Sequence, residues 1–313
     1  MIVSASRRTD VPRFFMDWFV NRLEAGYVLV RNPVRRDLVS RVPLDAGSVD
    51  CIAFWTKDPR PLLALRSRLE RAVPCPYFVQ FTLNAYGADV EAGLPRKARL
   101  VEVFQELAHV LGPERVVWHY SPILLGGSYD VEHHLRYFET FARTLEGSTR
   151  RCRLSFLDVY RKIAPRMEAL GLSGVPDAEK RALAQRLAEI AAGFGIEVGG
   201  CGDPALDEAG LAGEGCIDAA HVEQVAGVVA ARGRGSRRQG ACRCAPSVDV
   251  GSYDTCANGC VYCYANPGAS GGAPWRLSRY DPEAPMLCDE VRPGDTVAER
   301  SLHLLPKAAE RLF

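Results

Sequence analysis

Short apolar runs, each emptying into polar residues and most followed by an amphipathic helix, constrain this chain more than any other feature. Candidate strands begin at Ile2, Tyr27, Asp50, Tyr77, Arg115, Arg153, Ile196 and Ser247, up to eight in all. Helices are expected over 61–71, 97–111, 133–145, 177–194 and 222–231, where apolar stripes meet stop glycines. Asp10 with Pro12 opens a further one, and Asp130 and Asp177 read as caps. Strands alternating with helices argue for parallel β with helices outside. The expected fold class is therefore α/β, a TIM-like parallel β/α barrel, complete or partial. Its weak point is 27–50, where no helix separates two candidates and 39–44 reads as a hairpin partner.

With 313 residues, 47% hydrophobic and 25% charged, the chain can build a large core unaided. A net charge of +1 gives no global field to draw nucleic acid or anionic lipid. The start carries no apolar signal segment, and no run reaches the roughly 18 apolar residues of a membrane span. The expectation is a cytoplasmic protein with no membrane partner. In that reducing compartment, eleven cysteines read as metal ligands before disulfides. A single barrel is expected over 1–267, cysteine loop included, and a surface extension over 268–313 after the glycine-rich break at 268–272.

Three of those cysteines, Cys256, Cys260 and Cys263, fall in the spacing C-x-x-x-C-x-x-C. Three thiolates this close can hold three irons of one iron–sulfur cube, leaving the fourth open to a small molecule. Gly259 lets the backbone fold tightly there. A zinc knuckle or buried thiols are the plainer readings. A second set, Cys201, Cys216, Cys242 and Cys244, would suit an auxiliary iron–sulfur cluster, a structural zinc site or free buried thiols. Cys51, Cys75, Cys152 and Cys288 read as ordinary core or incidental cysteines.

In parallel α/β folds the active site collects polar residues at the C-terminal ends of strands. Here those ends offer Arg7, Arg8 and Asp10, then Arg31 and Asn32, then Lys57 and Asp58, and later Gln80, His119 and Asp158. Each alone reads as a cap, salt bridge or solvated turn; their repetition argues for one ligand-binding mouth. Arg7, Arg8, Arg31 and Lys57 together would suit a carboxylate or phosphate. His119 reads equally as a core histidine or a proton-transfer group. His133 and His134 read as solvated surface. Arg232, Arg234, Arg237 and Arg238 read as a solvated connection, or as a nucleic-acid or phosphate contact without the aromatic interleaving of a single-strand platform.

The string Cys256-x-x-Gly259-Cys260-x-Tyr262-Cys263-Tyr264-Ala265 resembles the cluster motif of radical S-adenosylmethionine (SAM) enzymes, most of all the spore photoproduct lyase branch. That resemblance implies a [4Fe–4S] cluster, SAM on its open iron, Tyr262 against the adenine, a reducing electron donor and a small-molecule or nucleotide-like substrate. It also keeps open a nucleic-acid repair or binding protein. A third reading is an iron–sulfur or zinc barrel without SAM chemistry. Beyond the loop, Ser4–Asp10, Arg31-Asn32-Pro33, Phe54–Pro59 and Gln80-Phe81-Thr82 resemble a bacterial family defined only as a domain of unknown function, family 1848. The motif departs from radical SAM enzymes in following the last strand, so the resemblance implies a circularly permuted barrel. The usual Gly-Gly-Glu string is missing, although Gly126-Gly127 and Gly199-Gly200 occur.

Overall fold

The computed structural model describes residues 1–313 apart from 74, 173, 201, 212–214, 234–241, 267–274, 302–303 and 308–313. Its strands are β1 (Ile2–Ala5), β2 (Tyr27–Arg31), β3 (Leu38–Pro43), β4 (Cys51–Thr56), β5 (Tyr77–Thr82), β6 (Val116–Ile123), β7 (Arg151–Phe156), β8 (Glu197–Gly200), β9 (Ser247–Asp249) and β10 (Thr296–Glu299). Seven of them form one parallel sheet in the order β8-β7-β6-β5-β4-β1-β9. Neighbours in that sheet follow chain order throughout, except that β9, late in the chain, lies beside β1. The two edges, β8 and β9, are not paired with each other among the described residues, so the sheet is open.

The strand starting at Tyr27 does not join this sheet. β2 pairs antiparallel with β3, Tyr27 opposite Pro43, and β10 adds in parallel to β3. The reason is the link: residues 32–37 suffice for a hairpin, whereas a parallel return needs a crossover of roughly a dozen residues.

Crossovers carry the helices. After β1 come α1 (Val11–Phe14) and α2 (Met16–Glu24); after β4, α3 (Arg60–Ala72); after β5, α4 (Lys97–Leu111); after β6, α5 (Val131–Thr144). Then come α6 (Ala164–Ala169), α7 (Asp177–Ala192), α8 (Pro204–Glu208) and α9 (Ala219–Ala226). Asp10 caps α1, accepting from Arg13 N at 3.2 Å, and Asp130 caps α5, accepting from His133 N at 2.7 Å. Asp177 does not cap α7: it is the first helical residue after Pro176, and its carboxylate meets Lys180 at 3.1 Å one turn on. α9 begins at Ala219, earlier than expected, because Asp218 caps it, and stops where Gly227 turns left-handed at φ 64°.

Strand side chains alternate between two faces, and the faces differ. Val3, Ile52, Phe54, Val79, Trp118 and Leu154 join the main core. Ile2, Cys51, Ala53, Phe78 and Val117 point the other way, into a second cluster closed by Ile217, Val222, Val228 and Ala245. Further along these same inward positions the residues turn polar, at Ser6, Thr82, His119, Ser121 and Ser155. The second cluster plugs one end of this face and leaves the other, at the C-terminal ends of the strands, to polar groups.

The tail packs back on the sheet pair: Met286, Leu287 and Cys288 are buried, and Trp18 Nε1 donates to Ala284 O at 2.8 Å. Cys51 and Cys152 are buried as expected.

His134 is not solvated surface. It lies four residues after its cap on the inward stripe of α5, fully buried. It bonds Tyr120 Oη through Nδ1 and Leu124 O through Nε2, each at 2.7 Å. His221 is buried likewise, with Nε2 on Glu114 O at 2.7 Å. Burial pushes both imidazoles from 6.5 down to about 4. Their folded pKa is depressed, so their contribution is complete above pH 6.5 and is lost as pH falls towards 4. Each is expected to remove on the order of 3 kcal/mol across that window. Urea unfolding at stepped pH measures it; a flat stability between pH 6.5 and 4 contradicts it.

Candidate functional site

At the C-terminal ends of the sheet strands lies a cavity of about 630 Å³. The loop after β9 forms one wall and carries Cys256, Cys260 and Cys263, all three facing the cavity. Gly259 sits at φ 66°, a left-handed turn that a side chain would strain. Its neighbours leave room for a Cβ, so the demand is on backbone conformation more than on space. The loop is tied from below: Val261 N donates to Val90 O and Gly93 N to Asn258 O, both at 3.0 Å. Asn258 Nδ2 donates to Asp10 Oδ2 at 2.9 Å, and Arg13 reaches both Asn258 and Gly93 O.

Gly93 is the tightest of these ties, since a Cβ there would stand 2.6 Å from Asn258 O. Gly93→Ala is therefore expected to push the cysteine loop outward, costing about 1–3 kcal/mol. Faster maleimide labelling of the loop thiols would show it; unchanged labelling and an unchanged midpoint would refute it.

Behind Cys260 stands a buried charge group. Glu91, which bridges to Cys260 through its backbone, binds Lys57 at 2.8 Å and also Lys97 and the Tyr262 hydroxyl. Burial would push the Glu91 carboxyl up, but the two ammonium groups more than offset it and bring it to about 2. Burial pushes the Cys260 thiol up to about 12, with Lys57 drawing it back. The Cys256 and Cys263 thiols are raised by burial too. Tyr262 turns its hydroxyl inward to Glu91 and Asn84, and its ring lies 6.2 Å from Tyr86.

Among the described residues no three His, Cys, Asp or Glu side chains are grouped to hold a metal ion. One zinc ion would need its thiolates drawn in around a single centre. In an iron–sulfur cube each thiolate bonds a different iron, so the ligands stand further apart. Cys256 and Cys260 are buried and Cys263 is half-buried; all three open on one cavity with the Lys57 cation behind Cys260, a thiol donor set of the kind the second demand asks for.

The second cysteine set reaches the same cavity, which Cys216, Cys242 and Cys244 also line. Cys201 lies outside the described residues. Cys216 Sγ is 3.7 Å from His119 Nε2, and Thr82 Oγ1 is 3.3 Å from His119 Nδ1. Gly215 brings its backbone against Cys244, where a Cβ would come within 2.6 Å. A hydrogen bond to Cys244, then burial, holds the Cys242 thiol well above its ordinary range.

Of the remaining expected residues, Arg7, Arg8, Asp10, Lys57, His119 and Asp158 line the cavity. Arg31 and Asn32 do not, because β2 left the sheet: Arg31 pairs with Asp289 and Asp295 at 2.8 Å each, and Asn32 Oδ1 takes up Val34 N in a turn. Asp58 is buried against Arg60 and Arg13, away from the cavity. Gln80 lies beneath it, donating to Cys216 O. Arg232 is exposed, and Arg234, Arg237 and Arg238 fall outside the described residues.

Two central acids were not foreseen. Asp249 accepts from Ser6 Oγ at 2.6 Å, Ser4 Oγ at 3.1 Å and Arg7 N at 2.9 Å, with the Arg7 and Arg8 guanidinium groups beside it. Its signal was an acid at a strand end, on β9 just before Gly251. Glu91 sits in irregular chain after β5 and gave no periodic signal.

The arrangement defines a parallel α/β protein with a cavity at the strand ends, lined by Cys256, Cys260 and Cys263 and by Cys216, Cys242 and Cys244. The chain belongs to the family described as a domain of unknown function, DUF1848, which matches residues 2–265 and so takes in the sheet and the whole cysteine loop. No curated protein matches it. No helix among the described residues is long and apolar enough to cross a membrane.

Proposed function

We propose that the cavity is the active site of a radical SAM-like iron–sulfur enzyme, in which Cys256, Cys260 and Cys263 hold a [4Fe–4S] cluster and leave its fourth iron to SAM. One observation carries the reading: the three thiols of the C-x-x-x-C-x-x-C loop open onto a 630 Å³ cavity at the C-terminal ends of parallel strands. Held there, the cluster would supply, with a reducing donor, the one-electron chemistry that cleaves SAM. The chain's own work is to hold the substrate and keep water out. Ser6, Thr82, Ser121 and Ser155 offer hydroxyls on the sheet wall, and His119, between Thr82 and Cys216, can hold or pass a proton at Nε2. Cys216, Cys242 and Cys244, with Cys201, would hold a second iron–sulfur cluster or a zinc ion.

The same reading takes the sheet as a partial, circularly permuted barrel in the cytoplasm. Its support is the position of β9, beside β1 and directly before the cysteine loop, where a cluster-bearing first strand would stand. Anaerobic reconstitution with iron and sulfide, then dithionite and SAM, tests it. 5′-Deoxyadenosine is the expected product. Colourless protein that takes up zinc and no labile sulfide would overturn the reading.

A further inference from the structure

The mouth of the cavity is built of aromatic rings and guanidinium groups. Tyr160 and Tyr264 both line it and remain 45% and 43% exposed, with ring centroids 5.6 Å apart at 49°. Tyr264 is pinned, its hydroxyl donating to Arg7 O at 3.0 Å. The Arg7 guanidinium lies 5.4 Å from the Trp55 ring, and that of Arg8 5.4 Å from the Tyr253 ring. Both arginines face one carboxylate, Asp249, at 3.9 and 3.7 Å. Among the described residues both guanidinium groups share this carboxylate, and the buried Arg7 Nε makes no hydrogen bond.

An open ring pair, one ring of it pinned, offers a flat ligand two π-faces, and the guanidinium groups beside it offer an anion charge-assisted donors. We infer that the substrate is a flat aromatic or heteroaromatic ring bearing an anionic group, the ring against Tyr160 and Tyr264 and the anion at Arg7 and Arg8. A nucleotide and an aromatic carboxylic acid share that chemistry. The inference deepens the proposed function and rests on reading this cavity as an active site, but not on the cluster.

Equilibrium binding to the full chain, without added iron, tests it. The probes are adenosine 5′-monophosphate and indole-3-acetate, with ribose 5-phosphate as an anion lacking a flat ring. At least one flat anion is expected to bind about tenfold or more tighter than ribose 5-phosphate, the size of one stacking contact. Which one wins separates the two sources. Tyr264→Ala should erase that advantage and Tyr264→Phe keep it, and Arg8→Gln should weaken the flat anion. Because Tyr264 adjoins Cys263, Tyr160→Ala provides the same test from the other ring of the pair. Failure of both flat anions to bind, equal binding of ribose 5-phosphate, or an advantage that survives both alanine variants would overturn the inference. Iron uptake and 5′-deoxyadenosine are read separately, so binding without SAM cleavage would sink the proposed function and leave this inference standing.

Discussion

Cys260→Ala is expected to lose iron and sulfide on reconstitution and, with them, 5′-deoxyadenosine formation, by more than about a hundredfold. The size follows from position: loss of partners that merely orient metal ligands already costs 10–100-fold, and Cys260 is a ligand in this reading. Cys260 is also fixed on both sides. Its backbone bridges to Glu91, and Val261 N holds Val90 O at 3.0 Å. Cys51→Ala is the matched control. Cys51 is equally buried, but in the apolar plug on the other half of the inward face, so its loss costs on the order of 1 kcal/mol of stability and no iron. If Cys260→Ala takes up iron and sulfide like the wild type, the loop is not the metal site.

Much of this site could be read before the fold was known, for reasons that differ residue by residue. Cysteine spacing is local, so Cys256, Cys260 and Cys263 stand together wherever the chain places them. Strand-end residues of the main sheet, such as Arg8, Lys57 and His119, followed from alternation and from the rule that parallel strands collect function at one end. Arg31 and Asn32 obeyed the same local pattern yet lie elsewhere, because sheet membership depends on the length of the connection, which residues 32–37 leave too short. His134 carried a surface-like signature, a polar pair at a helix start. Only tertiary packing shows that Tyr120 and Leu124 hold it inside. Glu91 was invisible for a deeper reason: a carboxylate in an irregular segment has meaning only through Lys57, Lys97 and Tyr262, which arrive from three separate parts of the chain.

That group gives the second large effect. Glu91→Gln keeps the shape and removes the charge, leaving the Lys57 and Lys97 ammonium groups, 12% and 24% exposed, without their shared counter-ion. Breaking a buried pair on one side costs about 3–5 kcal/mol, which for a chain of this size lowers the thermal midpoint by on the order of 10 °C. The sign with pH is an independent check. Glu91 ionises at about 2 in the folded chain and near 4.5 when unfolded, so its contribution is complete above pH 4.5 and is lost as pH falls through 2. Wild-type protein should therefore show an acid limb between those values that Glu91→Gln lacks. The triple change Glu91→Leu, Lys57→Met, Lys97→Met removes all three charges and should recover most of the loss, because an apolar replacement of a buried ion group is close to neutral. A Glu91→Gln protein as stable as the wild type, with the same acid limb, would show that Lys57 and Lys97 do not depend on this carboxylate. The cysteine loop would then owe its position to its backbone ties and to Gly93, Asn258, Asp10 and Arg13.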